Sequence, residues 1–152
     1  MELNDNVAKI LERETESTIE DWLCRVNAEP EIITVKLNDE DRCAHLRNLF
    51  HDLVTRLRNP LPLGTRALIS DAADDHGYVR RVQGYTPAML VEESRMLQVS
   101  IFQTLQDHLN KLDMSVVLAD VMTIADEVDS QLAQAMASYM FEASRDAEPI
   151  EA

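Results

Sequence analysis

Apolar positions recur at helical spacing along most of the chain, and their phase predicts five long helices. Val7, Ile10, Leu11, Ile19, Trp22, Leu23 and Val26 lie mostly on one stripe, so a first helix runs from a cap at Asn4 or Asp5 to about Val26, before Pro30. A second begins at Asn38 and carries Leu46, Leu49, Phe50, Leu53, Val54 and Leu57 at alternating spacings of three and one, the cleanest amphipathic pattern in the sequence. Asn59-Pro-Leu-Pro-Leu-Gly64 breaks that helix and turns the chain. A polar third stretch spans Thr65 to Val82, interrupted by Gly77, with Gly84 as its stop. Thr86 and Pro87 form a cap and first-turn pair for a fourth helix, which shows Leu90, Leu97, Ile101 and Leu105 on one face and reaches about Asn110. The last helix starts at Asp113 or Ser115 and ends near Phe141. Its seam of Leu118, Val121, Ala125, Val128, Leu132, Ala135 and Tyr139 is spaced alternately three and four, which sustains three heptads.

Only three glycines and five prolines stand against plentiful Leu, Ala, Met, Glu and Gln, which makes the fold all-α. The 152 residues suit one domain over 1–143, and the polar, proline-interrupted SRDAEPIEA at 144–152 reads as a flexible tail. A net charge of −14 excludes DNA and RNA as partners, because phosphate-backbone affinity comes from cationic side chains. The same charge disfavours anionic lipid surfaces, and no apolar run is long enough to span a bilayer. With no secretory layout at the start and with Cys24 and Cys43 far apart, the expected setting is cytoplasmic and the cysteines are a reduced pair.

The last helix has two readings. Its seam either belongs to the chain's own core or meets a second copy. Val117, Met122, Ile124 and Met136 lie off the seam and widen the apolar surface, which favours two contact faces.

Candidate chemistry is sparse. His76 and Arg80 share a helical face just after Asp74 and Asp75, and His76 reads first as a surface residue paired with a carboxylate. Cys43, His45 and His51 cluster in sequence, but His45 and His51 point to different sides of a helix, so no metal is expected there. His45 in AHLRNLF is the best phosphotransfer candidate, yet bulky Leu49 follows where such domains keep small residues. No nucleophile elbow or phosphate-cradling glycine loop is present, so the chain is expected to bind and signal rather than catalyse.

The stretch HGYVRRVQGYTPAMLVEESRMLQVSIFQTL, His76 to Leu105, resembles the RsbRD-type amino-terminal domain of RsbT co-antagonists and of some bacterial sensor histidine kinases. The likeness rests on His76, Arg80, Gly84-Tyr85, Thr86, Leu90-Val91, Glu93, Leu97 and Ile101; Trp22 and the long closing helix also look similar. The resemblance implies a globin-like bundle of five to six helices without haem. It implies a homodimer formed through the late helices, which acts as the signal-input module of a histidine kinase or a stress regulator and passes a signal to an output domain. It also makes His76, Arg80, Tyr85 and Glu93 a polar network joining the third and fourth helices. Gln98 departs from the pattern, since an arginine is common at that place in the family. A haem-binding gas sensor is the rival that a globin likeness raises, but His76 lies among Asp74, Asp75 and Arg80 rather than on an apolar face.

Overall fold

The computed structural model describes residues 6–65 and 69–146, with side chains as far as 141. Its α-helices are α1 (Val7–Arg13), α2 (Thr15–Asn27), α3 (Asp39–Arg42), α4 (Leu46–Arg58), α5 (Asp71–Gln83), α6 (Pro87–Asp107) and α7 (Met114–Asp146). Single 3-10 turns at Ile32–Thr34 and Leu109–Lys111 complete an all-α bundle, and the described residues contain no strand.

Local chemistry explains where these helices differ from their predicted bounds. The proposed caps Asn4 and Asp5 lie outside the described residues, and Asn6 accepts the Lys9 N–H at 2.8 Å instead. The predicted first helix bends at Glu14, where the Thr15 hydroxyl bonds back to the Leu11 and Glu12 carbonyls and competes with the helical ladder. The predicted second helix breaks over Cys43–His45. Asn38 caps the short α3 through the Asp41 N–H, and Arg42, at its end, turns into the interior. α5 starts at Asp71 rather than Thr65 because Ser70 caps it: its Oγ accepts the Ala73 N–H and donates to Asp52 Oδ2 at 2.6 Å. α6 stops at Asp107, three residues early. α7 continues past Phe141 through Ser144–Asp146, so that part of the expected tail is helical, while 147–152 fall outside the described residues.

Two predicted signals match in detail. Thr86 Oγ1 accepts the Met89 N–H, and Pro87 opens α6. Gly84 adopts φ +96° and closes α5 with the paired bonds Tyr85 N–H to Arg80 O and Gly84 N–H to Arg81 O.

The main core lies between α1, α2, α4, α6 and the middle of α7, with Ile10, Leu11, Trp22, Val26, Leu53 and Ile101 sealed inside it. Fully burying one such aliphatic side chain contributes roughly 1.5–3 kcal/mol. A smaller cluster of Leu90, Ala135 and Tyr139 joins α6 to the second half of α7. α5 presses closely on α7: a Cβ on Gly77 would stand 1.9 Å from the Ala135 carbonyl oxygen. The glycine that weakens the third helix as a sequence pattern is thus the residue that lets two backbones meet. No described helix is long and apolar enough to cross a membrane.

Candidate functional site

The bends and caps just described converge on one buried polar corner. α5 contributes His76 and Arg80, α6 contributes Glu93, and the corner between them contributes Tyr85. His76 is 6% exposed, which corrects its reading as a surface residue, whereas Asp74 and Asp75 remain outside. Its Nε2 lies 2.6 Å from Glu93 Oε1, and the same oxygen accepts Arg80 Nε–H at 3.0 Å. Arg80 also donates to Gln83 Oε1 and to the Arg42 carbonyl, and its guanidinium lies 4.5 Å from the centre of the Tyr85 ring. All four residues expected in the network are therefore in contact with one another or share a partner.

Three further participants were not foreseen. Arg42, 3% exposed, donates to the Tyr85 hydroxyl at 2.6 Å and to the Val35 carbonyl. Trp22 Nε1–H donates to the Glu93 carbonyl, tying α2 to the same turn of α6. His45, at the first residue before α4, places its Nδ1 3.4 Å from His76 Nδ1 with the rings edge to face. No local pattern marks Arg42 or His45 for this corner, because Tyr85 and His76, which they meet there, lie more than thirty residues away.

Burial alone raises the Glu93 carboxyl, but the charges and hydrogen bonds of His76 and Arg80 outweigh it and hold the group below the usual carboxylate range. Burial, together with the positive potential of His76 and Arg80, lowers His45. Burial raises the Tyr85 hydroxyl and the Cys43 thiol, so neither is a ready anion. Both cysteines are free.

Beside this corner a cavity of about 30 Å³ lies among Trp22, Leu49, His76, Glu93, Leu97 and Gln131. That volume holds a guest the size of one water, about tenfold below an organic ligand site. On the outer side of His45 a pocket of about 330 Å³ opens between α4 and α5, lined by Asn48, His51, Asp52, Asp71 and Asp75. Among the described residues no group of three or more His, Cys, Asp or Glu side chains is arranged to hold a metal ion. His45 itself is half-buried against His76, unlike the exposed imidazole that a phosphotransfer partner would need.

A second buried network went unseen in the sequence. Arg56, 1% exposed, donates to Glu127 Oε1 at 3.1 Å and Asp126 Oδ2 at 2.8 Å, and the Asp126 carboxylate also accepts the Gly64 N–H. Gln134 and Gln131 then bind the Ser70 N–H and the Leu49 carbonyl, so α7 is stitched to α4 and to the start of α5.

The predicted seam divides between inside and outside. Val128, Ala135 and Tyr139 are buried within this chain, and Tyr139 donates to the Tyr85 carbonyl at 2.6 Å. Leu132 packs on Leu90, and Val121 packs on the main core. Within this chain, Val121 and Val128 thus face the main core, and Leu132, Ala135 and Tyr139 face Leu90 of α6. Ala125 is half-buried and Leu118 is 70% exposed. The off-seam residues shift as well: Ile124 is fully buried and Met122 is exposed, with Val117 and Met136 between.

Comparison with family models, with curated proteins and with solved structures finds no match to this chain. The RsbRD-type likeness is therefore a reading of the sequence pattern alone.

Proposed function

We propose that this chain is a dimeric signal-input module of the RsbR type, in which the polar corner positions the closing helix and α7 passes small rearrangements to an output domain of a histidine kinase or a stress regulator. The observation that carries the reading is the outward face of α7. Leu118, Met122 and Met140 are exposed there, with Ala125 and Met136 half-buried along the same stripe, while Ile124, Val128, Ala135 and Tyr139 fill the core on the adjoining side, about a quarter turn round the helix. A helix whose apolar arc extends this far past its buried residues has more apolar surface than its own domain covers. The helix is also long enough to serve as a lever: 33 residues extend about 50 Å at 1.5 Å per residue.

Coupling between corner and lever is direct. Tyr139 holds the Tyr85 carbonyl, Gln134 holds the Ser70 N–H, and Gly77 lets α5 lie against Ala135. A shift of α5 or α6 therefore moves α7, in the manner of packed helices that slide at an interface. The signal enters, on this reading, at the His76–Glu93–Arg80 corner.

Light scattering on the purified chain tests the proposal. The expected mass is twice 17.3 kDa, and a Leu118→Asp, Met122→Asp double variant is expected to run as a folded monomer with unchanged far-ultraviolet dichroism. A wild-type monomer at the highest soluble concentration, or a variant that stays dimeric, would sink it.

A further inference from the structure

The described residues leave one ordered stripe of α5 open to solvent. Asp71, Asp75, Tyr78 and Val82 follow one another at intervals of four, three and four. At about 100° per residue this spacing holds all four within roughly 60° of arc, nearly half a turn from the buried Arg80 and about a third of a turn from Gly77, where α5 meets α7. Tyr78 is 47% exposed and Val82 is 69% exposed, and both carboxylates are exposed as well. Side chains that alternate four and three apart form the seam of a helix pair, because they insert between the side chains of a facing helix. We infer that this face of α5 docks an amphipathic helical segment of a partner protein, with lysine or arginine set against Asp71 and Asp75 and apolar side chains set against Tyr78 and Val82.

The charge of the partner follows from the two carboxylates. Surface acids elsewhere in the chain hold arginine: Glu12 with Arg58, Glu16 with Arg47, Asp21 with Arg25 and Glu92 with Arg95. Among the described residues, neither Asp71 nor Asp75 enters an ion pair or accepts a side-chain hydrogen bond. Both also line the open pocket of about 330 Å³ between α4 and α5. Asp52, which accepts the Ser70 hydroxyl at 2.6 Å, adds a third carboxylate to its wall. The volume admits the end of a lysine or arginine side chain, whose alkyl stem then lies along apolar surface while its charge meets the acids.

The apolar end of the stripe supplies the rest of the contact. Tyr78 offers a large ring of few rotamers, and Val82 lies one turn beyond it on the same line. The four residues extend about 16 Å, three turns of a facing helix. A second copy of this chain fits the face poorly, since two such stripes would bring Asp71 and Asp75 against like charges in a molecule of net charge −14. An anionic lipid surface is repelled for the same reason. The docking face is separate from the outward stripe of α7 and does not depend on the input-module reading.

Fluorescence anisotropy tests the assignment, with a labelled amphipathic peptide of leucine and lysine, about five helical turns long, titrated with the full chain at low salt. Saturable binding that weakens as salt rises is expected, and none is expected for the same peptide with glutamate in place of lysine. Val82→Lys puts a cation in the last turn of α5, where the helix dipole favours it, so the helix is retained while affinity falls about tenfold. Asp75→Asn is expected to lower affinity about two- to fivefold. Glu20→Gln removes the same charge from an exposed position on α2 and leaves affinity at the wild-type value. Absence of binding by the wild-type chain, equal binding of the glutamate peptide, or wild-type affinity in Val82→Lys or Asp75→Asn would overturn the assignment. So would a loss in Glu20→Gln as large as that in Asp75→Asn, because attraction would then be a matter of overall charge. Light scattering covers the remaining occupant: a wild-type dimer that Val82→Lys converts to a monomer would give the face to a second copy instead.

Discussion

Glu93 and Glu127 are both carboxylates sealed inside the bundle, and each has its Oε2 without a hydrogen-bond partner, yet their neighbours drive them in opposite directions. At Glu93 burial is outweighed by His76 and Arg80, and the carboxyl sits low. At Glu127 burial dominates; the hydrogen bonds from Arg56 and Gln131 offset only part of it, Asp52 adds to the rise, and the carboxyl sits high. The consequences for stability differ in sign. Glu93 contributes stability in full above the unfolded value of about 4.3, and that contribution is lost as pH falls through the lower folded value. Glu127 retains its proton in the folded chain after the unfolded chain has lost it, so its share of stability declines as pH rises from about 4.3 to the raised folded value. Urea midpoints measured from about pH 4 to pH 8 separate the two. Glu127→Gln is expected to flatten the decline across that window. Glu93→Gln is expected to cost about 3–5 kcal/mol at neutral pH, because Arg80 would be left as a buried charge without its carboxylate. An unchanged slope in Glu127→Gln would mean that its carboxyl titrates as an ordinary surface acid.

At the scale of elements, the tightest joint is α5 on α7, and a single missing Cβ sets its distance. Gly77→Ala forces the two backbones apart at Ala135, and overpacking of this kind costs about 1–3 kcal/mol. A lower urea midpoint in Gly77→Ala, with hydrogen exchange accelerated along α5, is the expected result; wild-type stability would show that the joint is loose. Gly77 also marks where sequence reasoning runs out. Several local signals were legible: Thr86-Pro87 opens α6, Gly84 closes α5, and the stripe from Leu46 to Leu57 makes α4 amphipathic, whereas the equally local Thr15 back-bond that divides the first helix was missed. The break between α3 and α4 was not legible, because it serves Arg42, whose partners Tyr85 and Val35 are brought to it by the fold. The start of α5 was misplaced for the same reason, since Ser70 answers to Asp52 and Gln134 as well as to its own helix. Of the polar corner, His76, Arg80, Tyr85 and Glu93 were legible together through a family pattern, while Arg42, His45 and the whole Arg56–Glu127 network were invisible to spacing.

For the whole molecule, the decisive property is a charge of −14 combined with an apolar stripe along one 33-residue helix. Two copies that meet through α7 bring like charges together, and the stripe itself carries the exposed Asp129 with the half-exposed Asp126 close by. Apolar burial must therefore overcome a repulsion that acts over roughly a Debye length, about 10 Å at 0.1 M salt and 3 Å at 1 M. Screening weakens the repulsion and leaves the apolar contribution in place. The dimer proposed here should accordingly tighten as salt rises, with a dissociation constant that falls between low and high ionic strength in sedimentation equilibrium. A complex held by complementary ion pairs, such as one built on the exposed Arg47–Glu16 or Arg58–Glu12 sites of α4 and the first two helices, would loosen over the same range. The direction of the salt effect thus distinguishes an α7 interface from one held by ion pairs, without a variant that perturbs the core.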